Sequence, residues 1–257
     1  MHQGGASPVK DAIRVAAVGD MHVPRGGHAG LTPMLTAAAT GADVLVLCGD
    51  ITDYGLPEEA RLVATALHQT VKIPVVAVLG NHDFESGKQD EIAQIFVDAG
   101  VVVLDGDAHE VGGVGFAGVK GFGGGFGPRA LAPWGEPSIK SFVHEAVNEA
   151  LKLESALARL RTPHRVAVLH YAPIFGTVSG EPPEIYPFLG SSRLEDPLNR
   201  YPVSAVFHGH AHRGSLEGKT REGVPVYNVA MPLLAQAFPG QPPLRIIELP
   251  TAVSAVV

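Results

Sequence analysis

Of the 257 residues only one is a cysteine, Cys48. No disulfide can form within the chain, and no cysteine cluster can bind a metal. Cys48 lies in an apolar run, where a thiol fills space rather than acting as a nucleophile. Long apolar runs are missing too, and none reaches the roughly 20 residues of a membrane-spanning helix. Residues 1–11 lack the basic-then-apolar pattern of a secretory signal. They are expected to be a flexible N-terminus before a single domain over residues 12–257, in a cytoplasmic protein. Positive charge is scarce: 19 Lys and Arg stand against 26 Asp and Glu, a net charge of −7. That balance speaks against bulk nucleic-acid binding but leaves room for a small anionic substrate. With 46% apolar and 18% charged residues, the chain belongs with globular proteins.

What is present is a repeated ending. Three apolar runs stop abruptly in Gly plus a polar residue: Val18-Gly19-Asp20, Cys48-Gly49-Asp50 and Leu79-Gly80-Asn81. Short apolar runs bounded by turn residues read as strands buried on both faces. A carboxylate at the carboxyl end of such a strand stands at the mouth of an α/β sheet, where ligands bind. Gly49 lets the chain turn sharply there.

Helical patterns over residues 31–40, 57–69 and 89–98 separate these strands and a fourth at 101–104. The β-α-β-α-β-α-β order predicts a parallel sheet with right-handed crossovers. Beyond Asp105 the texture changes. Strands are expected at 108–111 and 114–119, followed by a Gly-rich loop, residues 120–128. A long helix is expected at 138–160, a strand at 166–169, a Pro-rich loop at 171–190 and a short helix at 193–200. A strand at 203–207 and three short ones near 215, 224–229 and 245–249 complete the chain. The reading is one α/β domain containing two sheets flanked by helices.

The later strands add His170, His210 and His212 to Asp20, His22, Asp50 and Asn81. On an extended strand His210 and His212, two apart, would face one side. Imidazole, carboxylate and amide without thiolate suit Mn, Fe or Zn. Seven such groups exceed one tetrahedral ion, so two ions sharing a carboxylate are the economical reading. Gly113-Val114-Gly115-Phe116-Ala117-Gly118 matches a dinucleotide-binding pattern, but it leads into a loop rather than a helix and is set aside.

Taken in order, Asp20-Met21-His22, Gly49-Asp50-Ile51-Thr52-Asp53, Gly80-Asn81-His82-Asp83, His170 and Gly209-His210-Ala211-His212 resemble the calcineurin-like metallophosphoesterase family. The resemblance runs over roughly residues 13–230. It implies a four-layer α/β/β/α sandwich of two mixed sheets with a two-metal site at the loop ends. It also implies one metal on Asp20, His22, Asp50 and His212, and a second on Asp50, Asn81, His170 and His210. His82 matches the family's acid or charge stabiliser, and Asp53 the carboxylate that orients it.

The chemistry is self-consistent. Two cations about 3.5–4 Å apart bind a phosphoryl oxygen, lower a water's pKa and align an in-line attack. A hydroxide held between them is the expected nucleophile, and a His beside the metals supplies the leaving alkoxide with a proton. Tyr54 and Asp83 stand where Ser/Thr protein phosphatases commonly carry Arg and Glu. That turns the reading toward the small bacterial branch with phosphodiesterase members and a small-molecule phosphoester substrate. Arg25, His28, Trp134 and Tyr186 are candidate substrate contacts. The aromatics of the Gly-rich and Pro-rich loops either stack a base or pack the loops themselves. A phosphomonoesterase, a protein phosphatase and a non-catalytic phospho-ligand-binding relative remain the alternatives.

Overall fold

The computed structural model describes residues 12–250; the expectation for residues 1–11 lies outside them. Strand and helix alternate through the first half: β1 (Ala12–Val18), α1 (Leu31–Gly41), β2 (Val44–Cys48), α2 (Pro57–Thr70), β3 (Val75–Val78), α3 (Gln89–Asp98) and β4 (Val102–Val103). These four strands are parallel neighbours. A hairpin of β5 (Asp107–Val111) and β6 (Val114–Val119) follows, then α4 (Pro137–Arg159) and β7 (His164–Leu169). The Pro-rich segment holds two single-turn helices, α5 (Phe175–Val178) and α6 (Tyr186–Leu189). After them come α7 (Glu195–Arg200), β8 (Ala205–His208), β9 (Glu217–Lys219), β10 (Pro225–Asn228), α8 (Met231–Ala237) and β11 (Arg245–Pro250).

The strands form two sheets, ordered β11-β1-β2-β3-β4 and β5-β6-β7-β8-β10-β9. Strand periodicity explains how they stack. Ala16, Val18, Leu45, Leu47 and Ala77 pack against α1–α3 in one core. Their alternates Val15, Ala17, Val44, Val46 and Val76 meet Phe116, Val166, Val168 and Phe207 of the other sheet. On the far side Ala117, Val119, Ala167 and Leu169 pack against Leu153, Ala156 and Leu157 of α4 and Leu198 of α7. Successive side chains point to opposite faces of a strand, so a strand buried on both sides serves two cores at once. The result is the four-layer α/β/β/α sandwich.

The last strand, β11, joins the first sheet, antiparallel to β1. Three expectations need correction. The strand expected near Ser215 runs from Glu217 to Lys219, and α5, α6 and α8 lie where the sequence pattern predicts no helix. β8 ends at His208, so His210 and His212 are not on a strand.

Candidate active site

The turns after β1 and β2 are joined by backbone hydrogen bonds from Asp20 N to Gly49 O (3.0 Å), His22 N to Asp50 O (3.0 Å) and Val23 N to Ile51 O (3.1 Å). Among the described residues, four other than glycine have positive φ: Asp20 (56°), His22 (42°), Asp50 (47°) and His210 (69°). All four belong to the site. Backbone in this region is costly for an L-residue and persists where the surroundings impose it. The φ of His210 also removes the alternation argument for its pairing with His212, because an extended chain is required for two residues apart to face one side. Instead the two rings diverge. His212 Nε2 meets Asp20 Oδ1 at 3.0 Å, while the His210 ring lies 4.8 Å from His170 and 4.5 Å from Tyr171, centroid to centroid.

The donor atoms form three interlocking groups: Asp20, Asp50, His170 and His210; Asp20, His22 and His212; and His22, Asp50 and His82. Within each group they lie within 4.8 Å of one another. Asn81 joins through Oδ1, 2.9 Å from His170 Nε2. Asp50 is central, with Oδ1 3.3 Å from His170 Nε2 and Oδ2 3.6 Å from His22 Nε2. Glycines make room for this convergence. A Cβ on Gly80 would sit 2.2 Å from Asp50 Oδ1, and one on Gly49 (φ +79°) would sit 2.6 Å from His170 Nδ1.

Backbone carbonyls orient the imidazoles. His170 Nδ1–H donates to Cys48 O (2.9 Å), which leaves the Nε2 lone pair facing Asp50 and Asn81. His210 Nε2–H donates to Phe188 O (3.2 Å), leaving Nδ1 free. His82 Nδ1–H donates to Asp53 O (2.6 Å), leaving Nε2. Such outer contacts fix the tautomer that presents a lone pair to a cation. The expected orientation of His82 by the Asp53 carboxylate is corrected here: the main-chain carbonyl does it. The carboxylate instead lies 3.7 Å from His22 Nδ1.

The residues fit a metal centre. His22 Nε2 is buried with no hydrogen-bond partner, and at 3.6 Å its separation from Asp50 Oδ2 is too long for a hydrogen bond. Burial pushes the Asp50 carboxyl up; the charge of His170 draws it down and that of Asp20 raises it further. Two carboxylates withdrawn together from water repel unless a cation joins them. Burial would also raise Asp20, yet the His212 hydrogen bond and the charges of His170, His212 and His210 take it down to about 2. Burial lowers His210 to about 3, which keeps its ring neutral, as a metal ligand must be. His212 is raised by its hydrogen bond to Asp20.

Several groups outside the candidate site residues support it. Asp83, fully buried, accepts from Thr52 N (2.8 Å), Thr52 Oγ1 (2.6 Å), Ile51 N (3.3 Å) and Gly80 N (2.8 Å). It braces the loops carrying Asp50 and Asn81. Its place three residues after Gly80 was the available signal. Asn228 Nδ2 donates to Ala211 O (2.7 Å), between the two loop histidines. His208 Nε2 accepts from Thr177 Oγ1 (2.8 Å), and burial lowers the ring to about 4.

The loops mainly pack on themselves. Gly121 N donates to Glu149 Oε2, Gly124 N to Pro187 O and Gly125 N to Gly190 O, so these amides are engaged rather than free to cradle a phosphate. Phe122 packs on Phe142 and Tyr171, and Tyr186 on Phe175. Tyr186 borders Ala211 in a small apolar cluster. Trp134 is 74% exposed. His28 Nδ1 accepts from Gly30 N (3.2 Å) at the start of α1. Arg25 lines a cavity with Tyr54 and Glu59. A cavity of about 880 Å³ lies elsewhere, lined by Phe126, Phe175, Arg193 and Arg221 among others and by none of the clustered donors.

Residues 13–214 match the calcineurin-like phosphoesterases. The chain belongs to this family. No curated protein matches it. Among solved structures it is similar to the phosphopantetheinyl hydrolase PptH from Mycobacterium tuberculosis (TM-score 0.65, 18% identity, 92% of this chain and 96% of that one). It is also similar to TT1561 of Thermus thermophilus (TM-score 0.60, 15% identity, 94% and 100%). A third likeness is a putative 5'-nucleotidase from Staphylococcus aureus (TM-score 0.52, 16% identity, 84% and 48%). At these identities the likeness concerns the fold. This calcineurin-like chain thus combines the two-sheet sandwich of its family with Asp and His groups able to bind metal. No helix among the described residues is long and apolar enough to cross a membrane.

Proposed function

We propose that this chain is a metal-dependent phosphodiesterase acting on small molecules. The observation that carries the reading is the interlocking of three donor groups through Asp20, His22 and Asp50. In this reading Asp20, His22, Asp50 and His212 hold one ion, and Asp50, Asn81, His170 and His210 hold the other. The N/O donor set suits Mn, Fe or Zn. When bound, the ions supply charge neutralisation for phosphoryl oxygens and acidify water.

The chain's own residues do the rest. His82 keeps Nδ1–H on the Asp53 carbonyl; in its imidazolium form, protonated at both nitrogens, it passes the Nε2 proton to the leaving oxygen. The Asp53 carboxylate steadies His22. Asp83 and Thr52 keep the Asp50 and Asn81 loops in register.

The preference for diesters rests on charge. Among the described residues, the ion pairs of Asp20, Asp50 and Asp53 are all with histidines. Lys120, the first residue of the Gly-rich loop, donates to Gly121 O and faces the rings of Phe84, Phe122 and Tyr171. Recognition of a monoester dianion favours a guanidinium clamp; a singly charged diester needs less. The test is kcat/KM for matched aryl mono- and diesters after reconstitution with Mn, Fe or Zn. The diester is expected to be faster. A monoester advantage of tenfold, about 1.4 kcal/mol in barrier, would overturn the reading.

A further inference from the structure

A cavity of about 520 Å³ is walled by Pro24, Arg25, Gly26, Tyr54, Leu56 and Glu59. Its walls are chain neighbours of the site. Pro24 follows Val23, which bridges to Thr52 and lies one residue beyond His22. Tyr54 follows Asp53, whose carbonyl holds His82. On this wall Glu59 is 1% exposed. One carboxylate oxygen, Oε2, accepts from Tyr54 N (2.9 Å) and Leu56 N (3.3 Å) at the start of α2. The other, Oε1, is buried and has no partner.

Closing the helix start requires one oxygen; the second is left over. A carboxylate oxygen removed from water without a donor is costly, and the large majority of buried side-chain polar atoms in folded proteins are paired. Arg25 does not pair with it: its side chain is exposed and forms no ion pair among the described residues. The donor that best suits such an oxygen is a charged one, since charge-assisted hydrogen bonds are the stronger kind. The Tyr54 side chain, 60% exposed, lines the same cavity, and an aromatic ring attracts a cation. Pro24 and Leu56 add apolar wall for a short alkyl chain.

We propose that this cavity receives one alcohol arm of the diester, and that Glu59 Oε1 accepts a hydrogen bond from an amine on that arm. The preferred substrates are then phosphodiesters of amino alcohols. This inference rests on the phosphodiesterase reading above.

The test uses the metal-loaded full chain and two symmetric probes, dibutyl phosphate and bis(4-aminobutyl) phosphate, in which either arm can occupy the cavity. Each is measured as a competitive inhibitor of bis(4-nitrophenyl) phosphate hydrolysis at fixed ionic strength. The diamine is expected to bind at least about tenfold more tightly, the scale of one charge-assisted hydrogen bond. Glu59→Gln keeps a carbonyl oxygen for the Tyr54 and Leu56 amides but replaces the free acceptor by a donor. In it the ratio is expected to fall below about threefold. Should Glu59→Gln not fold, as judged by its thermal transition, Tyr54→Ala removes the ring face and is expected to reduce the ratio as well. Equal inhibition by the two probes in the native chain, or a tenfold ratio that survives the substitution, overturns the inference. Failure to hydrolyse bis(4-nitrophenyl) phosphate at all is a failure of the phosphodiesterase reading alone. The two probes are then compared by calorimetric titration, with the same ratios deciding.

Discussion

The carbonyl oxygen of Asp53 accepts the Nδ1–H of His82 at 2.6 Å, while the carboxylate of Asp53 faces His22 Nδ1 at 3.7 Å. One residue thus serves two histidines with different atoms. A side-chain substitution removes only one of these contacts. Asp53→Asn is expected to leave the His82 ring oriented and to weaken the hold on His22. Metal affinity should fall, while the ratio of kcat on an alkyl ester to kcat on an activated aryl ester stays at its native value. Metal titration together with that kcat ratio checks it, and a changed ratio with unchanged affinity would contradict it.

His82→Ala removes the proton carrier. Loss of general acid catalysis is expected to lower kcat about 10²–10⁴-fold on an alkyl ester, and by less on an aryl ester whose leaving group needs little protonation. Elemental analysis of the variant should show native metal content. A variant that loses its metals would instead make His82 a ligand, which its grouping with His22 and Asp50 permits sterically.

Asp50 faces His22 on one oxygen and His170 on the other. Asp50→Asn therefore weakens both ion positions and removes a negative charge between them. Bound metal and activity are expected to decline together across a series of metal concentrations. Retention of about two ions per chain with lost activity would refute the shared-carboxylate reading.

Gly80→Ala tests the same carboxylate without changing a donor. The new Cβ would overlap Asp50 N and Oδ1, both 2.2 Å away. Metal affinity is expected to drop at least tenfold, on the order of 1.4 kcal/mol, with the far-UV circular dichroism of the native fold retained. Native affinity in this variant would show that the loop yields without disturbing the site.

Asp83→Ala leaves four buried donors on two loops without their acceptor. A loss of about 3 kcal/mol in stability is expected, at the upper end for unsatisfied buried groups. Urea unfolding with and without metal measures it. A shift of less than about 0.5 kcal/mol, the usual range for a surface substitution, would exclude the brace.

Much of the architecture is legible in the sequence. The two-faced burial of β1 and β2 is written in the apolar runs Val15–Val18 and Val44–Cys48, and the site donors stand just past the ends of those runs. The four-layer arrangement follows from the same residues, because Val15 and Ala16 must each find a different core. The backbone of His210 is not legible: its positive φ arises from its amide donating to both Asp20 oxygens at 2.9 Å, a contact 190 residues away in sequence. Nor is the role of Asp53, since residue identity does not reveal whether carbonyl or carboxylate makes a contact. The α5 and α6 turns hide among prolines that read as loop; Pro at an early helical position is compatible with both.

The pairing of β11 with β1 bears on how the chain is made. Ile13 pairs with Leu249 and Ala17 with Arg245, so this edge of the first sheet waits for residues some 230 positions downstream. Synthesis at about 5–20 residues per second delivers every clustered donor, through His212, before that last strand emerges. During the interval β1 presents an unpaired, apolar edge of the kind that recruits strands from other chains. A nascent chain stalled before Arg245 is thus expected to carry its complete donor set and yet be prone to aggregate.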